Sequence, residues 1–467
     1  MDPRDFTVDS LSTAYADRSL SPVEAIQACL DRIEEADGEL NGFVLVDGER
    51  ALASARESES RWRSGTSRGP LDGIPASIKD LVLVEGWPTL KGSPHLDPNE
   101  LAAETAPVAQ SLIDAGAVLV GKTTTPESGW KGLTDSPLSG YTRNPWDPTK
   151  TSGGSSGGAA VAAATGMAVL NLGTDGGGSI RMPAGFCGVF GIKPTHALIP
   201  MYPPGVSGLL SHLGPLTPTV RDSAYMMSAM AVPSPLDIYP TQKNPTSWID
   251  DIDNGVAGLR IAYSPDFGHA QVDPEIAAAT QRSVDALVSL GAIVEEVKID
   301  FSDCHDAFLT LWDAAIGRTL NGVPPEQWKL SDPGLVATCE RGQVITAQQF
   351  LDADAIRAQA TLKLSRLLTS YDILISPQLP LTAFPIGSDV ADPSSQSHWV
   401  DWTPFTYPIN MTRHPAATVP NGLASNGLPM AVQLVGRHFD DRLVLRVARA
   451  LEIAQPFPRL SPPAQLP

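Results

Sequence analysis

Thr151-Ser152-Gly153-Gly154-Ser155-Ser156-Gly157-Gly158-Ala159 is followed, one short apolar stretch later, by Gly173-Thr174-Asp175-Gly176-Gly177-Gly178-Ser179-Ile180-Arg181. Gly/Ser runs often serve as flexible linkers. Two features argue against that here. The flanks are apolar, with Ala159 to Ala164 after the first block and Met167 to Leu172 before the second. A linker also separates unlike compositions, and the two halves of this chain look alike. The glycines instead read as places where backbone comes close to something, because they permit positive φ and carry no Cβ. Gly176-Gly177-Gly178 before Ser179 leaves successive N–H groups free to converge on one spot, as in an oxyanion hole beside a nucleophile. A serine alone is a weak nucleophile, so a base must lie nearby.

The rest of the chain bounds the answer. Its 467 residues are 42% hydrophobic and 18% charged, the composition of a globular protein with a large core. Forty glycines and 42 prolines imply many tight turns. A net charge of −19 disfavours nucleic acid and anionic membrane as partners, since both need basic patches. No stretch is long and apolar enough to predict a membrane span. Cys29, Cys187, Cys304 and Cys339 form no C-x-x-C pair, and no histidine cluster accompanies them. This predicts neither disulfides nor a metal site, and the start carries no secretory pattern, so a cytoplasmic location is expected.

Along the chain, Ser21-Pro22-Val23-Glu24 predicts a helix start with Ser as N-cap, Pro at the first position and Glu24 completing a capping box. Gly42 to Val46 reads as a strand, Asp47 to Trp62 as a helix, Ala102 to Ala115 as a helix and Ala117 to Val120 as a strand. Lys79 follows Ile78 and precedes Asp80 and the apolar run Leu81 to Val84, so partial burial is expected, and burial lowers a lysine's pKa. Strands are predicted near Ala168–Leu172, Leu259–Tyr263, Ala292–Val297, Ile373–Pro377, Ala416–Pro420 and Met430–Val435. Helices are predicted from Asp273 to Leu290 and from Asp440 to Ala454, with 303–370 mainly helical and Pro233–Gly255 peripheral. Alternating strands and helices predict an α/β fold with a large β-sheet covered by helices on both faces.

Two motifs are decoys. Gly116 to Thr123 fits the P-loop pattern, but its middle residues are themselves the strand, and Pro126 obstructs a following helix. Gly153-x-Ser155-x-Gly157 fits the nucleophile elbow, which requires a strand directly before it; Pro145 to Lys150 is not one.

Taken together, three blocks resemble the amidase signature family of serine amidohydrolases: Gly73-Ile74-Pro75-x-x-Ile78-Lys79-Asp80, the Gly153–Gly158 tract and Gly173–Arg181. Thr142–Trp146, Gly191–Thr195 and Gly427–Gly436 support them, and the resemblance covers nearly the whole chain. It implies one domain over 1–467 with a large mixed sheet, the helical 300–370 segment lying peripherally near the substrate pocket. It implies an amidase with a Ser–Ser–Lys triad: Ser179 as nucleophile, Ser155 as bridging serine after a cis Gly154–Ser155 peptide bond, and Lys79 as base through Ser155. The N–H groups of Gly176, Gly177, Gly178 and Ser179 would hold the oxyanion. Asp175 would orient that loop, with Ser156 and Arg181 in support. No metal or cofactor is implied, and the expected partner is a small-molecule amide bound by a monomer or homodimer. The pocket is expected to be lined by the loops around Gly129-Trp130 and Tyr202–His212, the helical segment near Trp312, and Trp402–Tyr407, a set that favours aryl or alkyl amides, with esters, carbamates and hydrazides as further candidates. Gly176 departs from the family, which more often has a bulkier residue there, and is expected to loosen the loop. The alternative, a glutaminase like the amidase component of the glutamyl-tRNA amidotransferase complex, calls for an arginine-rich stretch not recognised in 335–360.

Overall fold

The computed structural model describes residues 2–239 and 247–460. Thirteen strands occur among the described residues: β1 Phe43–Val46, β2 Pro75–Lys79, β3 Val118–Thr123, β4 Asp135–Ser136, β5 Gly140–Tyr141, β6 Leu170–Asp175, β7 Phe190–Lys193, β8 His212–Thr217, β9 Arg260–Tyr263, β10 Ile293–Glu296, β11 Ile373–Pro377, β12 Ala416–Leu423 and β13 Pro429–Gly436. Eleven of them form one sheet in the order β1-β3-β2-β6-β8-β7-β12-β13-β11-β9-β10, while β4 and β5 pair separately. The sheet is mixed. β2 runs parallel to β3 and β6, and β9 runs parallel to β10 and β11, with antiparallel pairs elsewhere.

Period-2 alternation explains why both faces are covered. Val118 and Val120 enter one apolar cluster, under the helices Pro22–Leu40 and Gly157–Thr165. Leu119 between them enters another, with Ala76 and Ile78. At the far end, Leu374 joins the aromatic-rich cluster of the 300–410 region, while Ile373 and Ile375 face the opposite side. The β9–helix–β10 unit forms as expected, its helix spanning Pro274–Ser289.

The predicted cap is present at Pro22–Leu40: Ser21 N–H donates to Glu24, and Glu24 N–H donates to the Ser21 hydroxyl. The helix expected from Ala102 begins only at Pro107 and ends at Asp114, because proline suits the first turn while disfavouring helical geometry in the residue before it. The 303–370 region carries the helices Cys304–Ile316, Pro333–Gln343 and Ala347–Ser370. Pro233–Gly255 is less peripheral than expected: Trp248 and Ile252 are buried in the core, while 240–246 lie outside the described residues.

Candidate active site

The site sits where β2 and β6 end side by side. Their parallel register pairs Ala76 with Leu170 and Ile78 with Leu172, so Lys79 emerges beside Thr174 and Asp175. Clefts beyond the carboxyl ends of parallel strands are common ligand sites. The first glycine-serine block crosses this edge and enters the helix Gly157–Thr165, with Ser156 at its N-cap. The Gly154–Ser155 peptide bond is cis. Gly154 admits no side chain, because a Cβ there would lie 2.2 Å from the Leu133 carbonyl.

Lys79 is fully buried. Its Nζ lies 2.8 Å from Ser155 Oγ, 2.9 Å from Ser156 Oγ and 2.9 Å from Thr174 Oγ1. Burial pushes its pKa well below the ordinary lysine value, and the Asp175 charge opposes this only in part. Ser156 donates its own proton to the Thr174 carbonyl and accepts from the Thr174 N–H. Thr174 was missed as a site residue in sequence; its place next to Asp175 in the quoted block was the available signal.

Ser179 lies on the loop after β6. Its carbonyl accepts from the Ser156 N–H, and Ser179 and Ser155 line the same cavity. Asp175 holds this loop from inside, accepting from the N–H groups of Gly178 at 2.8 Å and Ile180 at 3.2 Å. Arg181 grips both Asp175 oxygens, and its other contacts are Thr406 O, Gln433 Oε1 and Asn410 Oδ1. Asp175 and Arg181 are both fully buried, and this environment holds the Asp175 carboxyl well below the usual range, since burial is outweighed by Arg181 and the hydrogen bonds. Asn410 donates to Asp175 as well. Asn410 stands outside every block quoted from the sequence, and Gln433 falls in the Gly427–Gly436 block without a site role assigned to it.

The expected oxyanion donors divide. The Gly178 N–H is committed to Asp175, which leaves those of Gly176, Gly177 and Ser179. The three glycines are packed from outside: a Cβ at Gly176 would meet Trp312, one at Gly177 would meet Trp399 and Phe308, and one at Gly178 would meet Thr406, all within 3 Å. At Gly176 the Trp312 indole fills the room of a larger residue, so the expected loosening gives way to a packed contact.

The cavity encloses about 460 Å³ and includes Ser155, Gly176, Ser179, Gly129 and Trp312, along with the 201–213 loop. That volume suits a small organic molecule. Trp130 and Trp402–Tyr407, expected as lining, are instead buried behind it in the aromatic cluster, and their place is taken by the apolar run Leu81–Leu83. His95 and His212 line the cavity, but among the described residues no histidine hydrogen-bonds Ser155 or Ser179. No group of metal-ligating side chains occurs among the described residues.

A mixed sheet carrying a buried lysine beside two serines and a glycine loop defines a class of amide-cleaving serine hydrolases. The sequence model of the amidase family matches residues 24–445, and the chain belongs to that family. An acylamidase of Rhodococcus erythropolis is 35% identical over 96% of this chain and 95% of its own. The A-type component of the glutamyl-tRNA(Gln) amidotransferase of Chloroflexus aurantiacus is 34% identical over 96% of each chain. Among solved structures, a bacterial aryl acylamidase of the amidase signature family superposes with a TM-score of 0.89 at 25% identity, covering 97% of this chain and 96% of its own. The chain is an amidase, acting on carboxylic amide C–N bonds. No helix among the described residues is long and apolar enough to cross a membrane.

Proposed function

We propose that this enzyme hydrolyses aryl or alkyl amides of small molecules through an acyl-enzyme on Ser179. One observation carries the reading: a fully buried amine whose hydrogen-bond partners are three hydroxyls, with Ser155 the nearest. A neutral amine offers two donors and one lone pair. The Ser156 proton is already spent on the Thr174 carbonyl, so Ser156 can only accept from Lys79. Ser155 is free to donate into the lone pair and to accept in turn from Ser179.

In this scheme Ser179 Oγ attacks the carbonyl carbon. Its proton passes to Ser155 Oγ, and the Ser155 proton passes to Lys79 Nζ. Negative charge on the former carbonyl oxygen is met by the N–H groups of Gly176, Gly177 and Ser179, worth about 3–4 kcal/mol per well-placed donor. The C–N bond then breaks as the proton returns through Ser155 to the leaving amine, and water repeats the sequence on the ester. Asp175 and Arg181 hold the loop.

Ser179→Ala and Lys79→Ala should each remove nearly all turnover of a 4-nitroanilide while the circular-dichroism spectrum stays native. A serine-directed phosphonate should add to Ser179, located by mass spectrometry. Retained activity in purified Ser179→Ala overturns the assignment. Panels of anilides, carbamates, esters and hydrazides rank the substrate classes.

The relatives named as components of the glutamyl-tRNA(Gln) amidotransferase favour a second reading, a glutaminase serving partner proteins. Against it, Arg341 and Arg357 of the 335–360 stretch are bound to Asp313 and Asp354 and line no part of the cavity. Four free, buried cysteines support a cytoplasmic location, and a monomer or homodimer is part of the same proposal.

A further inference from the structure

The enzyme carries 52 carboxylates against 33 lysines and arginines, yet its substrate cavity has the opposite charge balance. Two cationic side chains line it, Lys91 and Arg318, both exposed and neither in an ion pair among the described residues. The single carboxylate in the lining is Asp175, saturated by Arg181, Asn410 and two main-chain N–H groups. Glu127 lies behind the wall and accepts from Ser93, Ser331 and the Asp332 N–H. Glu104 near the rim accepts from the Tyr202 hydroxyl. Arg318 makes only a long contact, 3.5 Å, to the Val206 carbonyl.

A second observation concerns the backbone. Lys91 has φ +53°, a left-handed conformation that costs a side-chain-bearing residue and suits glycine. The position is nevertheless held at both its N–H and its carbonyl. Its N–H donates to Asp80, its carbonyl accepts from Ser128 N–H, and Asp80 is itself fixed by buried Lys122. The Ser128–Gly129 segment then borders Ser155: a Cβ on Gly129 would sit 3.4 Å from Ser155 Oγ. A lysine held in a glycine-like conformation, one hydrogen bond from the segment beside the reacting serines, points to a use for its charge.

We propose that Lys91, aided by Arg318, recognises an anionic group carried by the substrate some bonds away from the scissile carbonyl, a carboxylate being the simplest case. The proposal rests on the Ser179 reading and narrows its substrate class. An α-amino acid amide fits less well, because the cavity offers its ammonium no unpaired carboxylate.

The test compares pairs matched in chain length, in which a methyl group replaces the carboxylate. On the acyl side, the mono-4-nitroanilides of succinic and glutaric acid are set against those of butyric and valeric acid. On the amine side, 4-acetamidophenylacetate is set against 4-ethylacetanilide. The expected result is that in at least one arm the anionic member has a kcat/KM at least tenfold above its neutral twin at low salt. The advantage should shrink as sodium chloride is added. Lys91→Gly, which also relieves the backbone, should keep the wild-type Tm or raise it and cut the anionic-to-neutral ratio about tenfold. Lys91→Arg should largely preserve the ratio, and Arg318→Gln should lower it by a smaller factor. No anionic preference in either arm overturns the proposal, as does a preference that survives in both Lys91→Gly and Arg318→Gln. Failure of the Ser179 reading would look different: turnover of the neutral anilides would persist in Ser179→Ala.

Discussion

Lys79 and Lys122 are the same residue on adjacent parallel strands, both buried, and they do opposite things. Ile78 pairs with Lys122 and Lys79 with Thr123, so the two amines leave opposite faces of the sheet. Burial lowers the pKa of both. Lys122 meets a carboxylate: Asp80 lies 2.7 Å away and opposes the effect of burial, while Pro88 O and Thr89 Oγ1 complete its shell. Lys79 meets only hydroxyls. A buried lysine is thus a structural cation or a candidate base according to its neighbours, and the carboxylate that pairs Lys122 belongs to Asp80, the residue directly after Lys79 at the end of β2.

The largest test of this contrast is Lys79→Met, which should cost at least about 10³-fold in kcat while the protein stays folded. Lys122→Met should do the reverse. It strands Asp80 as a buried, unpaired charge, at about 3–5 kcal/mol of stability read from urea denaturation, and a second change, Asp80→Asn, should recover part of that. If Lys122→Met abolishes chemistry without loss of stability, the division of labour between the two lysines is wrong.

The pH dependence follows from the sign of the Lys79 shift. The folded pKa lies below the unfolded one, so between them the unfolded state binds more protons and wild-type stability rises with pH. Lys79→Met lacks this gain. The difference in unfolding free energy between the two proteins should therefore move in favour of wild type as pH climbs from the lowered value toward about 10.4. Over the same acid limb kcat should rise, because only the neutral amine accepts a proton. The smallest effect is expected for Thr174→Val, which removes one of three hydroxyls around Lys79. It should lower kcat about 3- to 30-fold, from a hydrogen bond worth roughly 0.5–2 kcal/mol, and shift the acid limb.

Much of this was legible in the residues. Local signals placed the capped helix at Pro22, the β9–helix–β10 unit and the strand read at Ala117–Val120, which in the structure runs on through Lys122 to Thr123. The glycine blocks and Lys79 converge because β2 and β6 are parallel neighbours. What escaped was non-local. β8 contains Gly214 and Pro215, which read as turn residues, yet it is an inner strand; β7 reaches only Leu216 and Thr217, leaving Pro215 paired on one side, where its missing N–H is tolerated. Asn410 and Gln433 lie more than 200 residues from the loop they brace; Gln433 falls within the Gly427–Gly436 block, but nothing local ties it to that loop, and nothing marks Asn410. The aromatic residues of 402–407 were rightly grouped near the site but misassigned to its surface, since hydrophobicity cannot separate a pocket wall from the packing behind it.

That long-range bracing has a consequence for how the enzyme comes into being. The loop bearing Ser179 is tied through Arg181 to groups on β13 and on the helix Tyr407–Thr412. A nascent chain that has emerged only as far as the glycine blocks would hold every reacting group yet lack the clamp that shapes them. The clamp is complete only once Gln433 has been synthesised, so the shape of the Ser179 loop is among the last parts of the site to be fixed.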